Sequence, residues 1–217
     1  MMGVFEGIVG QLALAMGASW CAGINLYATV AVLGLMVHFI PGFQLPPGLE
    51  VLASPWVIAP AVTMYCVEFF ADKIPAVDSA WDTVHTFIRV PAGAAMAAAA
   101  FVNVPPEVQV GAALLGGTLA LGSHTAKATT RLAAHGSGTS ALVSPTASLV
   151  EDGLVIATIG LLAANPLLAL GMTVAMIIAA GFLLYFLWNV TRRVYRSLTV
   201  RNPSFEQLPP PPPAVTA

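Results

Sequence analysis

Asp78, Asp82, His85 and Arg89 follow one another at intervals of four, three and four residues, a spacing that lines side chains along one stripe of a helix. At 1.5 Å per residue the stripe is about 16 Å long. Three further groups share faces in the same way: Glu68 with Asp72, His124 with Lys127 and Arg131, and Ser144 with Ser148 and Glu151, Asp152 standing beside the last and Lys73 beside the first. Such a set can hold an anionic group through Arg89, Lys127 and His124. Asp82, His85 or Glu151 can then carry a coupling proton, because small environmental shifts move histidine across neutral pH. The same residue types admit other chemistry. Asp78, Asp82 and His85, backed by Glu68 or Glu151, form a carboxylate and imidazole set suited to Mn, Fe or Zn. His85 or His124 can serve as nucleophile or general base with Arg89, Lys127 and Arg131 clamping a lipid phosphate. Finally, the whole set can be a buried ion-pair network that locks helices together.

The elements that position these residues are membrane helices. The 217 residues are 58% hydrophobic and 8% charged, with a mean hydropathy of +0.84, whereas in soluble domains about a quarter of residues are charged. A net charge of −2 offers no basic surface to neutralise nucleic-acid phosphates, which excludes that partner. Cys21 and Cys66 lie in apolar runs without ligand spacing and read as buried free thiols. No pattern calls for a cofactor. The amino-terminal stretch has Glu6 where a secretory signal would carry positive charge, so no cleaved leader is expected.

A bilayer core of about 30 Å takes about 20 apolar residues per helix. The chain predicts an all-α membrane domain over residues 1–200, with six spans near 19–39, 56–70, 77–102, 107–128, 146–163 and 167–190. The first apolar run is too long for one straight span and is punctuated by Gly17, Gly23 and Asn25. It reads either as a half-helix to about Ala18 followed by a span or as one interrupted helix, with Asn25 capping a half-helix or bonding a neighbour. Small residues over Gly93–Ala100 and Gly111–Gly122 allow close backbone approach and put the third and fourth helices at the centre. The connections at 71–77 and 131–145 each carry helix breakers, Pro75 in one and Gly136, Gly138 and Pro145 in the other. Interrupted segments in corresponding places of two hairpins point to a transporter's binding site.

All eight basic residues, Lys73, Arg89, Lys127, Arg131, Arg192, Arg193, Arg196 and Arg201, fall on or toward one side of these spans. That bias marks the cytoplasmic face, so six spans predict both termini in the cytoplasm. On this placement Arg89 approaches mid-bilayer, where a lone charge costs at least about 2.5 kcal/mol and requires partners. Trp81 reads as a headgroup anchor. Residues 201–217, with five consecutive prolines (Pro209 to Pro213), predict an extended solvated tail that also suits docking to a partner.

FFADKIPAVDSAWDTVHTFIRVPAG (Phe69 to Gly93), GSHTAKATTR (Gly122 to Arg131) and SPTASLVEDG (Ser144 to Gly153) together resemble a bacterial family of small multi-pass inner-membrane proteins labelled only as a domain of unknown function. The resemblance runs to about Arg193. It implies signature residues Asp72, Lys73, Pro75, Asp78, Trp81, Asp82, His85, Arg89, Lys127 and Glu151, and it implies no activity. The expectation from the residues themselves is a secondary transporter or permeation protein for a small anionic solute, with proton coupling and no catalytic role. Its partners are the lipid bilayer, the solute and the proton, with a homo-oligomer left open.

Overall fold

The computed structural model describes residues 7–101 and 103–200. Among them the chain is all-helical, with no strand: α1 (Ile8–Ile24), α2 (Leu26–Phe39), a 3₁₀ helix (Pro47–Ala53), α3 (Pro55–Ala71), α4 (Pro75–Ala100), α5 (Pro106–Gly136), α6 (Ser140–Ala164) and α7 (Pro166–Val200). Five of these helices begin on proline, whose fixed φ suits the first helical position and whose missing N–H is not needed there. The tail at 201–217 lies outside the described residues.

Two asparagines turn the chain. Asn25, at φ −146° and ψ 98°, separates α1 from α2; Asn165, at φ −159° and ψ 98°, separates α6 from α7. Each side chain caps the helix that follows. Asn25 Oδ1 accepts from the Ala28 N–H at 2.9 Å, and Asn165 Oδ1 accepts from Leu167 and Leu168, both at 3.1 Å, satisfying donors that a helix start leaves orphaned.

Contacts along the helices establish their directions. Gly93 lies against Ala120 and Gly116 against Ala97, so α4 and α5 are antiparallel and pressed together where side chains are smallest. Beside them, Ser19 Oγ donates to the Gly93 carbonyl at 2.7 Å, Ser123 Oγ to that of Trp20 at 2.8 Å and Lys127 Nζ to that of Ile24 at 3.3 Å. Helix α1 therefore runs parallel to α5. Helix α2 runs back along α3, with Gly34 against Leu52 and Ile58 and His38 Nε2 donating to the Ala53 carbonyl at 2.7 Å. Thus α1 and α2 form a V whose vertex, Asn25, is buried in the middle of the bundle. Both legs open toward the end that holds residues 40–54, residues 103–105 and Asn165. At the opposite, basic end are the α3–α4 and α5–α6 connections and the end of α7 with Arg192, Arg193 and Arg196.

This geometry corrects several expectations. Residues 19–39 are not one helix, because the break falls at Asn25 rather than near Ala18. The start of α1 and the end of α7 lie at opposite ends instead of sharing one. The helix expected to stop at 128 continues to Gly136, and the next begins at Ser140 with Pro145 inside its early turns. The 131–145 connection shrinks to a turn in which Gly138 supplies φ +73°, a conformation suited to glycine. Cys21 is buried as expected, but Cys66 is exposed. Trp81 stacks on His85, with ring centroids 4.3 Å apart.

The surface is inverted relative to a water-soluble protein. Phe87, Leu114 and Phe182 are 80%, 70% and 72% exposed, while Arg89, Glu68, Lys127 and Arg131 are buried. An apolar exterior around a charged interior is what a lipid solvent selects. Among the described residues, Val143–Ala164 and Pro166–Arg196 are long and apolar enough to cross a membrane, as is the bent pair Pro47–Ala53 and Pro55–Ala71 if counted as one span.

Candidate functional site: a charge cluster at the helix break

The vertex of the V meets ionisable side chains from α3, α4, α5 and α6. Arg89, fully buried, extends one NH group to Glu68 and the other to Asp82 Oδ1 at 3.0 Å. The latter nitrogen also lies 3.0 Å from His124 Nδ1. Arginine only donates, so His124 Nδ1 accepts and its proton sits on Nε2. From there it donates to Thr86 Oγ1 at 2.6 Å, and Thr86 donates in turn to the Asp82 carbonyl at 3.0 Å. His124 is thereby held as a neutral imidazole of defined tautomer.

Lys127 is the hub. Its ammonium is 3.1 Å from Asp72, 3.6 Å from both Glu68 and Asp82 and 3.7 Å from Glu151. Arg131 closes the ring, 2.7 Å from Glu151 and 3.3 Å from Asp72, and Ser148 Oγ approaches Asp72 at 3.5 Å. Asp152 accepts from Asn25 Nδ2 at 3.0 Å and from the Tyr65 hydroxyl at 3.3 Å.

The broken helix contributes its own charge. The end of α1 presents carbonyls, and that of Ile24 takes the Lys127 ammonium; the start of α2 presents N–H groups and, through Asn25, faces Asp152. Cation at a C-terminus and anion at an N-terminus is the favourable pairing for both helix dipoles. Even so, the described cluster is not neutral. Glu68, Asp72, Asp82, Glu151 and Asp152 are five carboxylates against the three cations Arg89, Lys127 and Arg131. Glu68 Oε2 and Asp72 Oδ1, one turn apart on α3, are buried without a hydrogen-bond partner, an arrangement that protons or a cation would relieve.

Among the described residues, Lys73, His85 and Ser144 stand apart from this ring of ion pairs. Lys73 turns away: its ammonium sits 3.0 Å from the centroid of the Phe69 ring and donates to the Phe69 carbonyl at 2.8 Å. Burial there lowers its pKa from the ordinary lysine value, with Asp152 and Asp72 pulling the other way. His85 donates from Nδ1 to the Trp81 carbonyl at 2.8 Å and meets the Tyr27 hydroxyl at 3.0 Å, flanking the cluster through an aromatic shell. The Asp78 side chain lies outside the described residues, and among those described no three histidine, cysteine or acidic side chains form a group that could hold a metal ion. Ser144 is buried with its hydroxyl unpaired. Tyr27, Tyr65 and Thr86 were not anticipated; their hydroxyls lie in or beside apolar helices, and only tertiary packing turns them inward.

Two cavities flank the cluster. One of about 240 Å³ is lined by Lys127 and Glu151 among residues of α1, α5, α6 and α7. The other, about 280 Å³, is lined by Asp82, His124 and Arg131. The Arg131–Glu151 ion pair joins one lining to the other.

Residues 12–186 match the family described as a domain of unknown function, DUF4126. The chain belongs to that family. The matched region contains the V from residue 12 onward, the described charge cluster and both cavities, and excludes the proline-rich tail. No curated protein and no solved structure matches the chain.

Proposed function

We propose that this DUF4126 protein is a secondary transporter of the bacterial inner membrane that moves a small anion together with protons. In this reading α3 to α7 cross the bilayer, the V of α1 and α2 is re-entrant, and the basic end faces the cytoplasm by the positive-inside rule. The end of α7 is then cytoplasmic and the start of α1 periplasmic, a five-span arrangement in place of six.

One observation carries the proposal: a helix broken inside the bundle delivers its two ends to a buried cluster in which, among the described residues, carboxylates outnumber cations five to three. Discontinuous helices at a charged site are the usual architecture of secondary-transporter binding sites, and intramembrane ionisable residues mark pathways by default. Coupling follows from charge. An anion entering a site already two charges negative is repelled, and Arg89 and Lys127 are occupied by carboxylates. Protons arriving on those carboxylates remove the repulsion and free the cations, so anion and proton load together.

The test is flux in proteoliposomes carrying a trapped pH dye, with a panel of small anions supplied outside. A transported anion acidifies the lumen. Arg89→Gln should abolish this acidification while leaving a monodisperse protein, and Arg89→Lys should fail to restore it, because an ammonium lacks the fork that spans Glu68 and Asp82. Undiminished flux in Arg89→Gln would refute the part given to the cluster and leave it an ion-pair network that only locks the helices, and no flux of any anion through the parent protein would refute transport.

A further inference from the structure

We propose that the cavity between α1, α5, α6 and α7 binds a monocarboxylate bearing an apolar tail of a few carbons. The inference rests on the transport reading, since it names the class of solute for that same site. At about 240 Å³ the cavity has the volume of roughly eight water-sized groups at about 30 Å³ each, the size of hexanoate or benzoate.

Its lining is divided. Lys127 and Glu151 form the charged part, and Trp20 lies alongside them. The Trp20 indole is 5% exposed and its N–H has no hydrogen-bond partner. Indole only donates, so the unpaired Trp20 N–H is a donor without an acceptor in the lining that Lys127 shares, and a ligand carboxylate is the group that supplies one. Ser123 and Thr130 also line it, but their hydroxyls donate to the Trp20 and Ala126 carbonyls; the remaining lining is apolar, with Met176, Ala180 and Leu183 contributed by α7. A divalent oxyanion such as phosphate would bury polar oxygens against these side chains without partners. An alkyl or aryl tail matches them.

The charge balance selects the same ligand. Of the four carboxylates around Lys127, Glu151 is the most distant at 3.7 Å, and it alone of the four lines this cavity. A proton delivered to Glu151 removes the carboxylate charge that lines the cavity, so a ligand carboxylate can take its place beside the Lys127 ammonium, and the carboxylate and one proton enter as the equivalent of one undissociated acid. No bond other than O–H forms or breaks.

The experiment is binding, measured by calorimetry on purified protein in nanodiscs without any gradient. Hexanoate and benzoate should bind, acetate much more weakly at about fourfold per methylene removed, and inorganic phosphate not detectably. Ala180→Trp, which fills the apolar part, should abolish hexanoate binding with an unchanged melting temperature. Trp20→Phe, which keeps the ring and removes the N–H, should weaken hexanoate about fivefold to tenfold and leave hexanol unaffected. Equal affinity for acetate and hexanoate, phosphate binding in competition with hexanoate, or full binding by Ala180→Trp would each overturn the site. So would a copurified lipid that hexanoate fails to displace. Hexanoate binding without flux would refute transport and leave the site standing; phosphate flux without hexanoate binding would do the reverse.

Discussion

Lys127→Met tests whether the cluster is as tightly connected as its geometry implies. Methionine keeps most of the side-chain length and removes the positive charge lying 3.1 Å from Asp72, 3.6 Å from Glu68 and Asp82 and 3.7 Å from Glu151. At an effective dielectric of about 20 each of these pairs amounts to about 4–5 kcal/mol of Coulomb energy. The ammonium's desolvation cancels most of that total, so the pairs do not simply add. The expected net loss is the about 3–5 kcal/mol found when a buried ion pair loses one member and leaves the other uncompensated. Combining Lys127→Met with Glu151→Gln restores the original charge difference and should recover a coupling energy of about 1.5–3 kcal/mol relative to the two single costs. The assay is reversible unfolding in mixed micelles titrated with a denaturing detergent, applied to the parent, both single variants and the double. A Lys127→Met cost under about 1 kcal/mol, typical of an exposed pair, would refute the reasoning, as would strict additivity in the double variant.

The two asparagine corners should differ in cost although their backbones match. Asn25→Ala loses both a helix cap and the bond to Asp152 and should cost about 2–3 kcal/mol, whereas Asn165→Ala loses only capping bonds and should cost about 1 kcal/mol; equal costs in detergent unfolding would show that the Asp152 contact contributes nothing. Gly93→Val should prevent accumulation of monodisperse protein, because a Cβ there meets that of Ala120 at 2.5 Å, while Gly111→Ala, with nothing within 4 Å, should be neutral; size-exclusion profiles decide, and a well-behaved Gly93→Val protein would contradict the close α4–α5 packing. Ile8 and Tyr195 are 71% and 68% exposed at opposite ends of the bundle, so single cysteines there should react with an impermeant maleimide from opposite membrane faces. Labelling from one face would exclude the re-entrant V.

Much of the site was legible because helical spacing leaves a direct trace in residue order. The stripe through Asp82, His85 and Arg89 and the faces carrying Glu68, Asp72, Lys127, Arg131 and Glu151 were visible as ionisable residues three or four apart in apolar surroundings, where no solvent could hold them. Which side chains actually join was not visible. Lys73 adjoins Asp72 in the chain yet folds onto Phe69, because a helix end can present neighbouring residues to different surroundings. His85 belongs to the stripe, but Trp81 and Tyr27 hold it at the margin.

Composition and the distribution of lysine and arginine were enough to establish a helical membrane protein with one basic end, since both depend on how each residue partitions between water and lipid and not on its neighbours. Proline at helix starts and small residues on α4 and α5 likewise act locally or pairwise. The V at Asn25 was decided only by the tertiary structure. An asparagine flanked by apolar residues is compatible with a continuous helix, a kink or a reversal. The choice depends on what meets its side chain and the two freed helix ends, and here Asp152 comes from 127 residues away and Lys127 from 103. Long-range pairing of charge with helix ends reverses the chain there, and it places the amino-terminal leg inside the bundle.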